Sequence, residues 1–469
     1  MENSRLTALL QTLDRKEQRE LRKFIASPYF NQRQDVADLF EVLVKCINDN
    51  QPLPGKEETH RLLYGPGEVF DDHKVRMAMS FLLKLAEQYL VQRAFFEDSL
   101  AVKTKLAAIY RQRNLPRHFE RTMREAQEGH RQQQFRNAGF HARTHRMLTE
   151  QFRFNLTQRR MVDYNLQAIT DHLDVAYFAQ KLRQTCTLLS HQAVYKKEYD
   201  FGLLQAVLRH IEEQNLTAHP AIAVYYYCYQ SLVQPDDPAY FHQLKNLLVT
   251  EGDKFPPDEI SDLYLLAINY CIRQYNKGGH GFLADEFDLY KEGLKKGYLL
   301  SNGTLSRFTY RNAVTVGLAL KEFDWVEIFL REFKSKLEKG QQQSMYSFNL
   351  ARLEFERQHF GSALQLLQKT TFDDILLDLA ARALILKIFY EMDAHDALES
   401  HLDAMQRFIR RKEVISYHGE HYLNLAQFTR RLMEAQFDKK ALEALKADIE
   451  KTEAVAERNW LLRQVPVNH

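Results

Sequence analysis

Apolar residues along this chain recur every three or four positions, the period of a helix that buries one face. The clearest stretch is 71–97, where Val75, Met79, Leu82, Ala86 and Tyr89 follow one another at spacings of 4, 3, 4 and 3. Upstream, Asp14-Arg-Lys-Glu17 has the form of a capping box and predicts a helix ending near Ala26-Ser27-Pro28. A second helix is predicted over 33–48, followed by turns at Gln51-Pro-Leu-Pro-Gly55 and Gly65-Pro-Gly67. Residues 99–160 read as long polar helices interrupted at Asn114-Leu-Pro116. From 165 onward the pattern is one of helix pairs, broken near 214–220, 234–238, 252–257, 277–281 and 300–304. The run Ala221-Ile-Ala-Val-Tyr-Tyr-Tyr-Cys-Tyr229 suits a strand by propensity, but its helical neighbours favour a buried helix.

After 300 the pattern repeats. Asp324-Trp-Val-Glu327, Ser362-Ala-Leu-Gln365 and Asp396-Ala-Leu-Glu399 read as capping boxes whose starts are 38 and 34 residues apart. The helices before them align at Asn312-Ala-Val314, Asn349-Leu-Ala351 and Ala383-Leu-Ile385, and Val326, Leu364 and Leu398 fall at equivalent positions. In the middle unit Ala351, Ala363 and Leu367 supply the small, small and large positions of a tetratricopeptide repeat, whose period is about 34 residues. Four further segments, Lys23-Phe-Ile-Ala-Ser-Pro-Tyr-Phe-Asn31, Asn269-Tyr-Cys-Ile272, Leu289-Tyr-Lys291 and Leu384-Ile-Leu-Lys-Ile-Phe-Tyr-Glu391, carry a resemblance. Through them the chain resembles a family of bacterial all-helical proteins with tetratricopeptide-like repeats. The resemblance implies a fold and no particular activity. The expected architecture is all-α: an α-solenoid of antiparallel, tetratricopeptide-like helix pairs over 165–469, preceded by an N-terminal helical cap (1–98) and basic, Arg-rich long helices (99–164).

Composition agrees with helices. Gly (17) and Pro (11) among 469 residues run at roughly half their average usage of about 7% and 5%. No apolar run reaches the roughly 18 residues of a membrane span, and the N-terminal apolar stretch is too short for a signal peptide, so a cytoplasmic location is expected. Cys46, Cys186, Cys228 and Cys271 are far apart, form no CxxC, and read as small buried hydrophobes.

Catalytic motifs are missing. There is no P-loop, and Gly278-Gly-His-Gly281 lacks the preceding strand and the following Lys that a phosphate cradle needs; it reads as a connection between helices. His141 with His145, and His418 with His421, are helix-spaced pairs without a third ligand. Asp285-Glu-Phe-Asp288 and Asp373-Asp374 sit near predicted helix starts, where carboxylates interact favourably with the helix dipole. No catalytic, cofactor or metal site is expected.

One asymmetry remains. Residues 101–160 hold two Lys and twelve Arg against four Glu, while the whole chain is only +2. Arg146, Arg153 and Arg160 recur every seven residues beside Met147, Phe154 and Met161; Arg117, Arg121 and Arg124 do the same one helix earlier, and Arg143 lies on the later helix as well. These seven arginines are the candidate site for a polyanion or an acidic partner; the alternative is internal pairing with the acidic remainder. Aromatic residues make up 12% of the chain and serve mainly for packing between helices, Tyr225, Tyr226, Tyr227 and Tyr229 covering more than one side of theirs. The function expected is a non-catalytic scaffold or adaptor binding a protein partner, without membrane insertion; the alternative is an RNA- or DNA-associated protein using 101–160.

Overall fold

The structure, a computed structural model, describes residues 4–158, 164–195, 197–411, 416–435 and 438–465. Among them are twenty-three α-helices and one small hairpin. The chain forms two compact units, Met1–Gln134 with Ala138–Tyr177, and Phe135–Asn137 with Phe178–His469. The first takes in both the expected cap and the basic helices.

The first unit contains α1 (Arg5–Gln11), α2 (Arg15–Ile25), α3 (Gln34–Asn48), α4 (Lys56–Tyr64), α5 (Asp72–Glu97), α6 (Ser99–Gln112), α7 (Pro116–Arg131), α8 (Ala138–Gln158) and the start of α9 (Leu166–Tyr195). The capping box at Asp14 is present: its carboxylate accepts from the Glu17 amide, and Glu17 accepts from the Asp14 amide. The periodic face of α5 is buried at Val75, Leu82, Ala86 and Tyr89, with Met79 half-buried. It closes a core with Leu10, Leu21, Leu39 and Leu43, each such leucine contributing about 1.5–3 kcal/mol by burial. A second cluster joins α6, α7 and α8, where Phe119 stacks on Phe154 at 4.0 Å beside Met123 and Met147. Helix α4, nine residues between two turns, escapes the periodicity because it is too short to show it.

The second unit contains the rest of α9, then α10 (Leu204–Glu213), α11 (Pro220–Val233), α12 (Pro238–Glu251), α13 (Pro257–Asn276) and α14 (Phe282–Lys295). A hairpin of β1 (Leu300–Ser301) and β2 (Thr304–Leu305) follows, then α15 (Arg307–Ala319), α16 (Phe323–Phe333), α17 (Gln342–Glu356), α18 (Phe360–Gln368), α19 (Ile375–Glu391), α20 (His395–Arg411), α21 (Ser416–Glu434), α22 (Lys439–Lys451) and α23 (Arg458–Gln464). Every break expected between 214 and 304 falls between helices. Three of these helices start with Pro, whose missing N–H costs nothing at that position. The ambiguous aromatic run is helical, in α11. Tyr225 donates to Glu259 at 2.7 Å and Tyr226 to Glu212 at 2.8 Å, while Tyr227 is half-buried. Cys186, Cys228 and Cys271 are buried as expected; Cys46 is only half-buried, and all four thiols are free.

The repetition after 300 has a different phase from the one read in the sequence. None of the three expected capping boxes stands at an N-cap: α16 starts after Glu322 and α18 after His359, and Asp396 lies in the first turn of α20. The common marker is a left-handed turn. Lys321, Gln358 and Asp393 have φ of 59°, 63° and 52°. In each case the next amide reaches back five residues, Glu322 to Gly317, His359 to Glu354 and Ala394 to Phe389, which satisfies the carbonyls orphaned at a helix end. Counted from these turns, Val326, Ala363 and Leu398 are equivalent and all at most 1% exposed. Leu364, expected at that position, is half-buried instead. The partners on the preceding helices are Val314, Ala351 and Leu386, each fully buried. Helix α15 packs on α16 and α17, α17 on α18 and α19, and α19 on α20.

Candidate partner-binding clefts

In the first unit, the end of α5, the first half of α6 and the middle of α8 enclose a cleft of about 520 Å³. Asp98 caps α6 by accepting from the Ala101 amide at the turn from α5, and Phe95 of α5 lines the cleft. Lys105 and Thr104 line it from α6; Arg143, His145, Arg146, Thr149, Glu150 and Arg153 line it from α8. The carboxylate of Glu150 is already held by Arg111 at 3.0 Å and Arg153 at 2.6 Å. His145 donates through Nδ1 to the Ile169 carbonyl at 3.0 Å. Lys105, Arg143 and Arg146 have no ion pair among the described residues, and the buried Nε of Arg143 has no hydrogen-bond partner.

Of the seven arginines singled out in the sequence, Arg143, Arg146 and Arg153 therefore meet in one cleft. Arg117, Arg121 and Arg124 are exposed on α7 and do not line it; Arg121 pairs with Glu125 at 3.2 Å. Arg160 and Met161 lie outside the described residues. Some of the internal pairing considered for the basic helices is present and local: Lys103 and Arg121 pair with Glu125, and Arg111 and Arg153 with Glu150, all of the same segment. The His141 ring meets His172, Nδ1 to Nδ1, at 2.9 Å. Among the described residues no three His, Cys, Asp or Glu side chains gather as metal ligands.

The second unit holds a groove of about 600 Å³. Thr315 of α15, Arg352 of α17, Lys387 of α19 and Glu457 at the start of α23 line it, with Leu318 and Leu384 between them. Arg352 donates to Thr315 Oγ1 at 3.0 Å and to Asn349 Oδ1 at 3.2 Å. Desolvation, reinforced by Arg311, brings its guanidinium down to about 10. Lys387, nearly buried over the Phe355 ring, donates to Glu457 Oε2 at 2.7 Å. Glu457 stays 42% exposed at the groove mouth; desolvation works to raise its carboxyl, and Lys387, Arg352 and Arg311 together hold it below the usual range.

The sequence reading missed this groove. One signal was there: Lys387 is a lone cation inside Leu384-Ile-Leu-Lys-Ile-Phe-Tyr390, an apolar run where a charge is costly unless paired. Compared with protein-family models, curated proteins and solved structures, the chain matches none. No helix among the described residues is long and apolar enough to cross a membrane.

Proposed function

We propose that the protein is a non-catalytic scaffold that holds a protein partner in the groove of its C-terminal helix pairs, arranged as an α-solenoid of tetratricopeptide-like units. The observation that carries this reading is the seat of Glu457: a carboxylate of the chain itself rests against Lys387, beside Arg352, in a groove with room for more. A partner's acidic side chain meets the same cations there. Leu318, Leu384 and Leu462 add apolar contact, and the cations at the rim set orientation and on-rate. The alternate helices α15, α17 and α19 each contribute two or three lining residues, as repeat proteins do on extended binding surfaces. The reading needs no cofactor. It places the protein in the cytoplasm, where its free thiols stay reduced.

A photo-crosslinking residue at Glu356, in the groove, and another at exposed Ile328, on α16, test it in the native cells. The expected result is one defined protein captured at Glu356 alone and lost when Arg352→Glu is added. Identical products at both positions, or a product removed by nuclease, would sink the reading. A second reading, an RNA- or DNA-associated protein, draws on Arg117, Arg124, Arg143 and Arg146, which carry no ion pair among the described residues. Its mark would be RNA retention that falls steeply with salt as counterions are released.

A further inference from the structure

Helix α5 has two apolar faces. One closes the core of the first unit; the other carries Met77, Phe81, Val91 and Phe95, all exposed, Val91 by 71%. With Lys84 and Gln88 these residues are spaced 4, 3, 4, 3 and 4 apart, so all six fall within one narrow stripe of the helix. At about 1.5 Å per residue the stripe is roughly 27 Å long. Its C-terminal half borders a shallow groove lined by Lys84, Glu87, Gln88, Val91, Gln92 and Phe95. Phe95 also lines the basic cleft formed by α6 and α8. The apolar stripe and the cleft are thus one continuous surface.

The cleft is short of anions. Glu150 is taken up by Arg111 and Arg153, Asp98 caps α6, and Glu87 beside the stripe pairs with Arg5 at 3.3 Å. That leaves Lys105, Arg143 and Arg146 without a counter-charge among the described residues, and a buried donor left unmet is costly. Whatever fills the cleft must bring carboxylates or phosphates; whatever covers the stripe must bring apolar side chains at helical spacing. A nucleic acid meets the first requirement and leaves Met77 and Val91 bare, while the Phe81 ring has the Arg33 guanidinium over it at 4.6 Å.

We propose that the α5 stripe and the α6–α8 cleft form a single docking surface for an acidic amphipathic helix of a protein partner. Its apolar face lies along Met77, Phe81, Val91 and Phe95, and carboxylates near one end enter the cleft toward Arg143, Arg146 and Lys105. This is the helix-in-groove mode of recognition, with the charges setting register. The proposal goes beyond the C-terminal groove and concerns another surface.

The test uses the full chain and a fluorescein-labelled helical peptide of about 20 residues, with Leu at the spacing of the stripe and Glu on its flanks. Controls are a scrambled peptide of the same composition and a single-stranded RNA of equal charge. Fluorescence anisotropy is expected to show binding of the patterned peptide, weakened about tenfold or more by Val91→Glu and by Arg146→Glu. Arg124→Glu, on α7 outside the cleft, and Arg352→Glu, in the other groove, leave it unchanged; circular dichroism verifies that each variant folds. The proposal is overturned if the patterned peptide does not bind, if scrambled peptide or RNA binds equally well, or if Val91→Glu has no effect. Sedimentation showing a dimer that Val91→Glu dissolves would overturn it too, since a second copy of the chain would then be the occupant.

Discussion

Glu286 lies on α14 with 3% of its surface exposed, and it has no ion pair among the described residues. Its neighbours on the helix, Asp285 and Asp288, face the other way and share Lys245 at 2.8 Å each. Burial alone pushes the Glu286 carboxyl up to about 7. Because the folded-state value is raised, the protonated form suits the fold. Its contribution is complete below the unfolded value of about 4.5 and is lost as pH rises through about 7. At about 1.4 kcal/mol per pKa unit, the loss is on the order of 3 kcal/mol. Glu286→Gln is therefore expected to stabilise the protein at pH 8 and to leave it almost unchanged at pH 4.5, read as Tm across that range. A Tm gain of equal size at both pH values would mean that ionisation of Glu286 is not the cause. The residue was legible in part. Glu286, Tyr290, Gly293 and Leu294 share one helical face, so a carboxylate stood at a core position. The acidic pair beside it drew the reading toward the helix dipole instead.

The elements were read well where periodicity is long and breakers are strong, as in α3, α5 and the breaks from 214 to 304. The repeats were found but mis-phased, by a physical cause. A capping-box pattern also arises inside a first turn, and the true landmark is a left-handed residue that Lys321, Gln358 and Asp393 fill without any shared side-chain type. Gly is the usual occupant, since other residues meet a steric cost there of roughly 1–2 kcal/mol. Lys321→Gly and Gln358→Gly are each expected to stabilise by about 1 kcal/mol after the larger unfolded-state entropy of Gly is subtracted. Asp393→Gly should gain less, because Asp tolerates this conformation. Chemical denaturation of the three variants gives the order; a destabilised Lys321→Gly would contradict it. One turn earlier the sign reverses. A Cβ on Gly317 would lie 2.5 Å from Cγ2 of Val326, so Gly317→Ala forces α15 off α16 at a cost of about 1–3 kcal/mol. Val326→Ala in the same chain should recover part of that loss. The candidate cleft followed the same division. Helical spacing brought Arg146 and Arg153 to one face, whereas the exposure of α7 and the pairing of Glu150 depend on tertiary packing that spacing does not encode.

At the scale of the molecule, each compact unit has a core of its own. One gathers Leu10, Leu39, Leu43 and Leu82; the other includes Leu386, Leu402, Leu425 and Trp460. The two tryptophans, Trp325 and Trp460, both belong to the second unit. Tryptophan fluorescence therefore reports that unit alone, while far-ultraviolet circular dichroism reports the helices of both. Chains with separate cores commonly depart from a single all-or-none transition, and the two probes are expected to give different denaturation midpoints. Leu39→Ala, fully buried in the first unit, should cost about 2–5 kcal/mol there. It should shift the circular dichroism curve while the fluorescence midpoint stays in place. Glu286→Gln at pH 8, in the second unit, should move the fluorescence midpoint upward and with it only that unit's share of the circular dichroism curve. If both probes follow one curve in every variant, the units unfold as one. Val91→Glu and Arg352→Glu could then no longer be taken as independent probes of two surfaces, and the two binding proposals would have to be tested by direct crosslinking at each site.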